Sequence, residues 1–241
     1  MDNESIAANQ FNGKPHFEIL DGLRVIAALA VVIFHFTDWI FPDRRSNFIG
    51  HGFLAVDFFF CLSGFVIGYA YDNRMSKISI PAFLKIRLIR LHPLVVLGSI
   101  LGLFGFLLDP YSNPSGQGIE RIILLFVASL LLIPLPLMED RAFHLFPFNS
   151  PSWSLFWEYL ANLFYAFVLV KLSRRSLFVL TVLAAISIGY VSYKYGNLIG
   201  GSTKYNYWVG GVRVAYSFSA GLLLFRSNWI FENKLSFPLL A

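Results

Sequence analysis

The sequence predicts an all-α fold, a polytopic transmembrane helical bundle with about seven candidate membrane helices, and three observations carry that reading. Of the 241 residues 56% are hydrophobic and only 14% charged, against about 45–50% apolar and about 25% charged in an ordinary soluble domain. Long runs of Leu, Ile, Val and Phe recur at close to the roughly 20 residues that a helix rising about 1.5 Å per residue needs to cross about 30 Å of hydrocarbon. The 19 Lys and Arg outnumber the 14 Asp and Glu, yet they cluster between the apolar runs as topology signals do, not over a face interleaved with aromatics as in nucleic-acid binders. The lone cysteine, Cys61, rules out an intramolecular disulfide and any multi-cysteine metal site. No metal centre is expected.

The spanning runs fall at about 20–41, 53–71, 91–108, 119–137, 152–171, 176–193 and 207–225. Residues 1–16 read as a disordered cytoplasmic tail, and residues 17–241 as a single membrane domain. The first run keeps its place as a membrane helix: a cleaved signal peptide has a positive leading segment, whereas Asp2, Glu4, Glu18 and Asp21 oppose Lys14 and Arg24 here. "DPYSNPSGQG" (Asp109 to Gly118) and "GNLIGGSTKYN" (Gly196 to Asn206) carry the Pro, Gly, Asn and Ser of turns. Arg74, Lys77, Lys85, Arg87 and Arg90 form the strongest basic cluster, which sets that loop and the N-terminus on the cytoplasmic side. Strict alternation over seven helices then places Lys171, Arg174 and Arg175 outside. Either 119–137, with its exit "IPLPLM", does not cross, or this second cluster breaks the rule.

Four stretches hold polar groups where apolar ones would serve better. In "LRVIAALAVVIFHF" (Leu23 to Phe36), Arg24 and His35 are eleven apart, about 1100° of rotation, so they share one helix face at an axial separation of about 16 Å. Ionisable groups in spanning helices are costly and face a polar interior or cavity. His35 is therefore either a site residue or one end of an interhelical hydrogen bond. Asp57 in "FLAVDFFFCLSGFVIGY" fits a structural pair with a buried cation, or the carboxylate that orients His35. Gly64 and Gly68 at i, i+4 let two helices approach closely. Arg87 and Arg90 in "FLKIRLIRLHP" are a positive anchor or a phosphate clamp. "SPSWSLFWEYLANLFY" (Ser150 to Tyr165) sets Ser154, Glu158 and Asn162 at i, i+4, i+8 as a polar stripe on an aromatic helix. A carboxylate at Glu158 needs a partner such as Arg24, Arg213 or His35.

These stretches, with "RVAYSFSAGLLLF" carrying Arg213 and Gly221, resemble in the same order the signatures of the acyltransferase-three family of integral-membrane acyltransferases, over about residues 17–226. The resemblance implies a bacterial inner-membrane enzyme that moves an acyl group, often acetyl, from acyl-CoA to a hydroxyl of a cell-surface or exported carbohydrate or a lipid-linked glycan. No cofactor is permanently bound in such an enzyme, and acyl-CoA is its co-substrate. It implies His35 as the catalytic residue, with Glu158 or Ser154 positioning the acceptor or orienting His35. Arg24, Arg87 and Arg90 fall on the donor side, while Asp57, Asn162 and Arg213 read as structural polar residues. Val25 stands where the family commonly has glycine, and His92 where it has tyrosine. The family continues through several more helices, so the chain is expected to be short at its C-terminus. That leaves two further readings: an inactive acyltransferase-like protein that associates with a second copy or a full-length paralogue, and a glycolipid transporter.

Overall fold

The structure is a computed structural model that describes residues 18–41, 43, 46–112 and 114–228. The tail expected over residues 1–16 and the end of the chain from residue 229 lie outside them. The described residues are helical, with turns and a single isolated β-bridge, and they divide into two compact units that part after Ala55.

The first unit holds α1 (Glu18–Ile40) and a short 3-10 turn, Gly52–Leu54. The chain leaving α1 folds back on the helix. Thr37 Oγ1 donates to the carbonyls of Ile33 and Phe34 and accepts from Asn47 Nδ2 at 3.0 Å, so a buried amide and hydroxyl satisfy each other. At Gly52 a β-carbon would lie 2.6 Å from Phe34 Cβ, which fixes glycine where the turn meets the helix.

The second unit is built from α2 (Ala55–Tyr71), apart from its first residue, with α3 (Ile80–Leu108), α4 (Ile119–Leu130), α5 (Ser152–Phe167), α6 (Arg174–Tyr195) and α7 (Tyr207–Arg226). Ser79 caps α3, its hydroxyl accepting from Ala82 N, and Ser173 caps α6 in the same way toward Ser176 N. Gly196, at φ +69°, ends α6 in the left-handed conformation that favours glycine. Phe60, Ile67, Phe83, Tyr165, Leu177, Phe218 and Leu222 form its main core. On the outward face of α3, Ile89, Leu94, Leu101 and Phe104 stay exposed, as lipid-facing residues do. α7 is the central helix: half of its most apolar window is buried, against 17% for α6.

Among the described residues six helices are long and apolar enough to cross a membrane, close to the about seven expected; the chain is an integral membrane protein. The run at 119–137 is the one candidate span that has no counterpart among them. α4 stops at Leu130 after 12 residues, about 18 Å of rise, because Leu132 takes a positive φ of 53° and Pro134 and Pro136 follow without amide donors. Its inner face, Ile122 and Leu125, packs on Phe106, Met138 and Phe148. With this crossing removed, two spans separate the basic loop at 74–90 from Lys171, Arg174 and Arg175, so both clusters fall on one side and the conflict over charge disappears.

α2 and α7 cross in close contact. A β-carbon on Gly64 would lie 2.0 Å from the Phe218 carbonyl oxygen, and one on Gly221 1.8 Å from that of Cys61. Two backbones meet there with no side chain between them.

Candidate functional site

Polar groups in the second unit are stacked at three levels along α2, each anchored by an α2 side chain or its C-terminal neighbour: Asp57, Ser63 and Asp72. The steps between them are about 9 Å and about 13 Å of helix rise.

At the first level Arg213 of α7 is 2% exposed and engages Asp57 through Nη2 at 2.7 Å and Nε at 3.1 Å. Its Nη1 donates to the Gly200 carbonyl, and the guanidinium carbon sits 5.1 Å from the Trp153 ring centre. A buried guanidinium thus finds a carboxylate, a carbonyl and an aromatic face, which offset its loss of water. Asp57 has its cation in Arg213.

The middle level gathers residues from three helices. Arg87 of α3, 3% exposed, places Nη2 3.2 Å from Glu158 Oε1 of α5, and Ser63 Oγ of α2 donates to the same oxygen at 2.7 Å. Glu158 therefore pairs with Arg87; the partners expected for it were Arg24, Arg213 or His35. Spacing along one helix fixes which face a group occupies, but not which helix lies opposite. Asn162, fully buried, donates through Nδ2 to the Glu158 carbonyl. Tyr159 stands edge-on to His92 of α3, ring centres 6.5 Å apart. Among the described residues Arg87 Nε and Asn162 Oδ1, on side chains that bond to Glu158, are buried without a partner, as are His92 Nδ1 and Tyr159 OH.

At the third level Asp72 accepts from Arg226 Nε at 2.6 Å and from Tyr165 OH at 2.9 Å, while Arg226 Nη1 donates to the Leu172 carbonyl. No motif in the sequence marks this group. Asp72 and Arg226 sit at helix ends, where a charge is most simply a loop charge.

Opposite that end, two long loops are tied together. His144 bridges to Thr203, Leu145 N donates to the Ser202 carbonyl, and Lys204 N donates to that of Phe143. Ser150 Oγ lies 2.9 Å from His144 Nδ1. Burial, joined by the nearby Arg141 guanidinium, holds the His144 imidazole below its ordinary range, against a backbone hydrogen bond with Ser202 that favours the charged form. Asn206 Oδ1 collects the Gly201 and Thr203 amides and the Thr203 hydroxyl, setting the entry to α7.

The remaining candidate residues stand as follows. On α1, Arg24 pairs with Asp21, both partly exposed, and His35 is exposed, with its ring edge-on to Phe34 at 5.4 Å. Arg90 is exposed whereas Arg87 is buried, so the two arginines meet different surroundings. Ser154 Oγ donates to the Pro151 carbonyl, three residues back. Among the described residues no group of three His, Cys, Asp or Glu gathers to hold a metal ion.

The sequence matches the profile described as acyltransferase domain over residues 17–241. It is 36% identical over 160 residues to Protein 2 in picA locus of Rhizobium radiobacter, covering 62% of this chain and 81% of that protein. Acyltransferase MdmB of Streptomyces mycarofaciens is 34% identical over 147 residues, 58% of this chain and 36% of its own length. O-acetyltransferase OatA of Staphylococcus aureus is 36% identical over 80 residues, 32% of this chain and 12% of its own. The chain thus spans about a third of the second relative and about an eighth of the third. No solved structure matches.

Proposed function

We propose, starting from the fact that this chain belongs to the acyltransferase domain family, that it moves an acyl group, acetyl in the first instance, from acyl-CoA to a hydroxyl of a cell-surface or exported carbohydrate. The observation that carries the reading beyond family membership is the Arg87–Glu158–Ser63 cluster, an ion pair kept inside a membrane-spanning unit with Arg87 Nε and Asn162 Oδ1 beside it buried and unpartnered. Polar groups held at membrane depth are expensive and mark substrate paths.

In the reaction, His35 takes the proton of the acceptor hydroxyl and the oxygen forms a bond to the thioester carbonyl carbon. The tetrahedral adduct collapses with cleavage of the carbon–sulfur bond. The proton passes from the imidazolium to the departing thiolate, leaving an ester and free CoA. Within the second unit Glu158, bound by Arg87 and Ser63 on one carboxylate oxygen, offers the other to substrate hydroxyls. Arg90, exposed on α3, meets the donor phosphates, to which guanidinium forks are well matched. Arg87 acts through Glu158, whose charge it compensates. The chain lies in a bacterial inner membrane with its N-terminus and both basic loops in the cytoplasm, where acyl-CoA is available.

Purified protein in lipid vesicles tests the reaction class. Given acetyl-CoA and a hydroxylated acceptor, it should release CoA thiol faster than vesicles lacking protein. Equal release from both would remove the donor from the account.

A further inference from the structure

We infer that a groove between α6 and α7 is a binding site for an anionic phospholipid of the surrounding bilayer. The groove has a volume of about 630 Å³, with Arg174 and Arg175 at one end. Both arginines are exposed, and among the described residues no acidic side chain pairs with either. Elsewhere in this unit the buried arginines Arg87, Arg213 and Arg226 each have a carboxylate of their own, whereas the charges of these two exposed and adjacent cations stay available to a ligand.

The rest of the groove is apolar. Phe178 and Val179 follow the arginines one turn on, at i+4, about 6 Å further along α6. Leu223 and Leu224 of α7 form the facing wall, with Ala220 leaving room between them. The one hydroxyl on α6 here, Thr181 Oγ1, is turned back to the Leu177 carbonyl and offers the groove no free donor. A site with two cations at its mouth and hydrocarbon along its walls is complementary to a ligand with an anionic head and an acyl tail. The six-span order puts this mouth on the same side as the basic loop at 74–90, and basic pockets between helices on such a face hold phosphate headgroups. The 190 Å³ cavity among Trp157, Leu180, Ala184 and Phe218 has no charged lining and specifies no ligand.

The site is independent of the acyl-transfer reading. Its test is native mass spectrometry of the full chain in neutral detergent, with phosphatidylglycerol and phosphatidylcholine of identical chains. Wild type should retain phosphatidylglycerol in preference to phosphatidylcholine. Arg174→Gln combined with Arg175→Gln should weaken phosphatidylglycerol retention roughly tenfold or more, and Arg174→Lys with Arg175→Lys should keep most of it. Val179→Trp, at an exposed wall position, should lower retention of both lipids by filling the tail channel. Equal retention of the two lipids by wild type, or retention of phosphatidylglycerol unchanged in the double Gln variant, would overturn the proposal. So would displacement of the lipid by inorganic phosphate together with indifference to Val179→Trp, which would reassign the arginines to a free anion.

Discussion

Arg87 on α3 and Glu158 on α5, 71 positions apart in the chain, form a buried ion pair of 3.2 Å at the middle of a three-level polar column. Their exposures of 3% and 16% mean that each charge depends on the other for compensation. Removing one partner of such a pair costs about 3–5 kcal/mol, while removing both is much milder. Arg87→Gln should therefore lower the thermal midpoint of the detergent-purified protein strongly, and adding Glu158→Gln should recover more than half of the loss. Single variants within about 0.5 kcal/mol of wild type would show that the pair compensates nothing.

The α2–α7 crossing makes a second prediction with an internal control. Gly64→Ala and Gly221→Ala each push a methyl into a backbone carbonyl and should destabilise by about 1–3 kcal/mol. Gly105→Ala, where a β-carbon meets nothing within 4 Å, should stabilise α3 by about 0.5–1 kcal/mol. Thermal unfolding of the three variants side by side decides the matter, and equal effects would contradict the close approach.

The six-span order predicts where water-soluble reagents reach. In a Cys61→Ala background, cysteines at Ser46 and Tyr111 should react with an impermeant thiol reagent in intact cells, and cysteines at Ser76 and Ser176 should react only after lysis. All four replaced side chains lie in turns, loops or at a helix start. Labelling of Ser176→Cys in intact cells would restore a seventh crossing.

His144 gives the loop bridge a pH dependence. Its imidazole is held below its ordinary range in the folded protein, so the unfolded loop binds the proton more readily, and stability is complete above the unfolded value of about 6.5 and declines as pH falls through it. Limited proteolysis between Glu139 and Ser150 should speed up from pH 7.5 to pH 5.5 in wild type more than in His144→Gln, compared at each pH with the same protease. Identical pH responses would remove His144 as the cause.

The sequence announces much of this architecture because lipid enforces a simple rule: each spanning helix must be long and apolar, and each exception must have a reason. Asp57, Arg87, Glu158 and Arg213 stand out as such exceptions, and the i, i+4, i+8 spacing alone puts Ser154, Glu158 and Asn162 on one helix face. What linear spacing cannot carry is the identity of the neighbour. Glu158 finds Arg87 and Ser63, not Arg213, because helix packing determines which faces meet. α4 is as apolar as a spanning helix; the two prolines that follow it are legible in the sequence, but the positive φ at Leu132 that ends it is not. Ser63 reads in the sequence as a small-residue break beside Gly64, and becomes a hydrogen-bond donor because α5 lies opposite.

Transfer of an acyl group to a carbohydrate hydroxyl with His35 as the base remains to be tested on the products in cells. Mass spectrometry of surface and cell-wall glycans from cells carrying the intact gene, no gene, His35→Ala or His35→Gln tests it. The account predicts an acetyl-sized addition with the intact gene only, lost with His35→Ala and not restored by His35→Gln, which keeps hydrogen-bonding capacity but accepts no proton at neutral pH. General-base catalysis contributes about 10²–10⁴-fold, well beyond a packing defect. Glycans of identical mass with and without the gene would contradict the account.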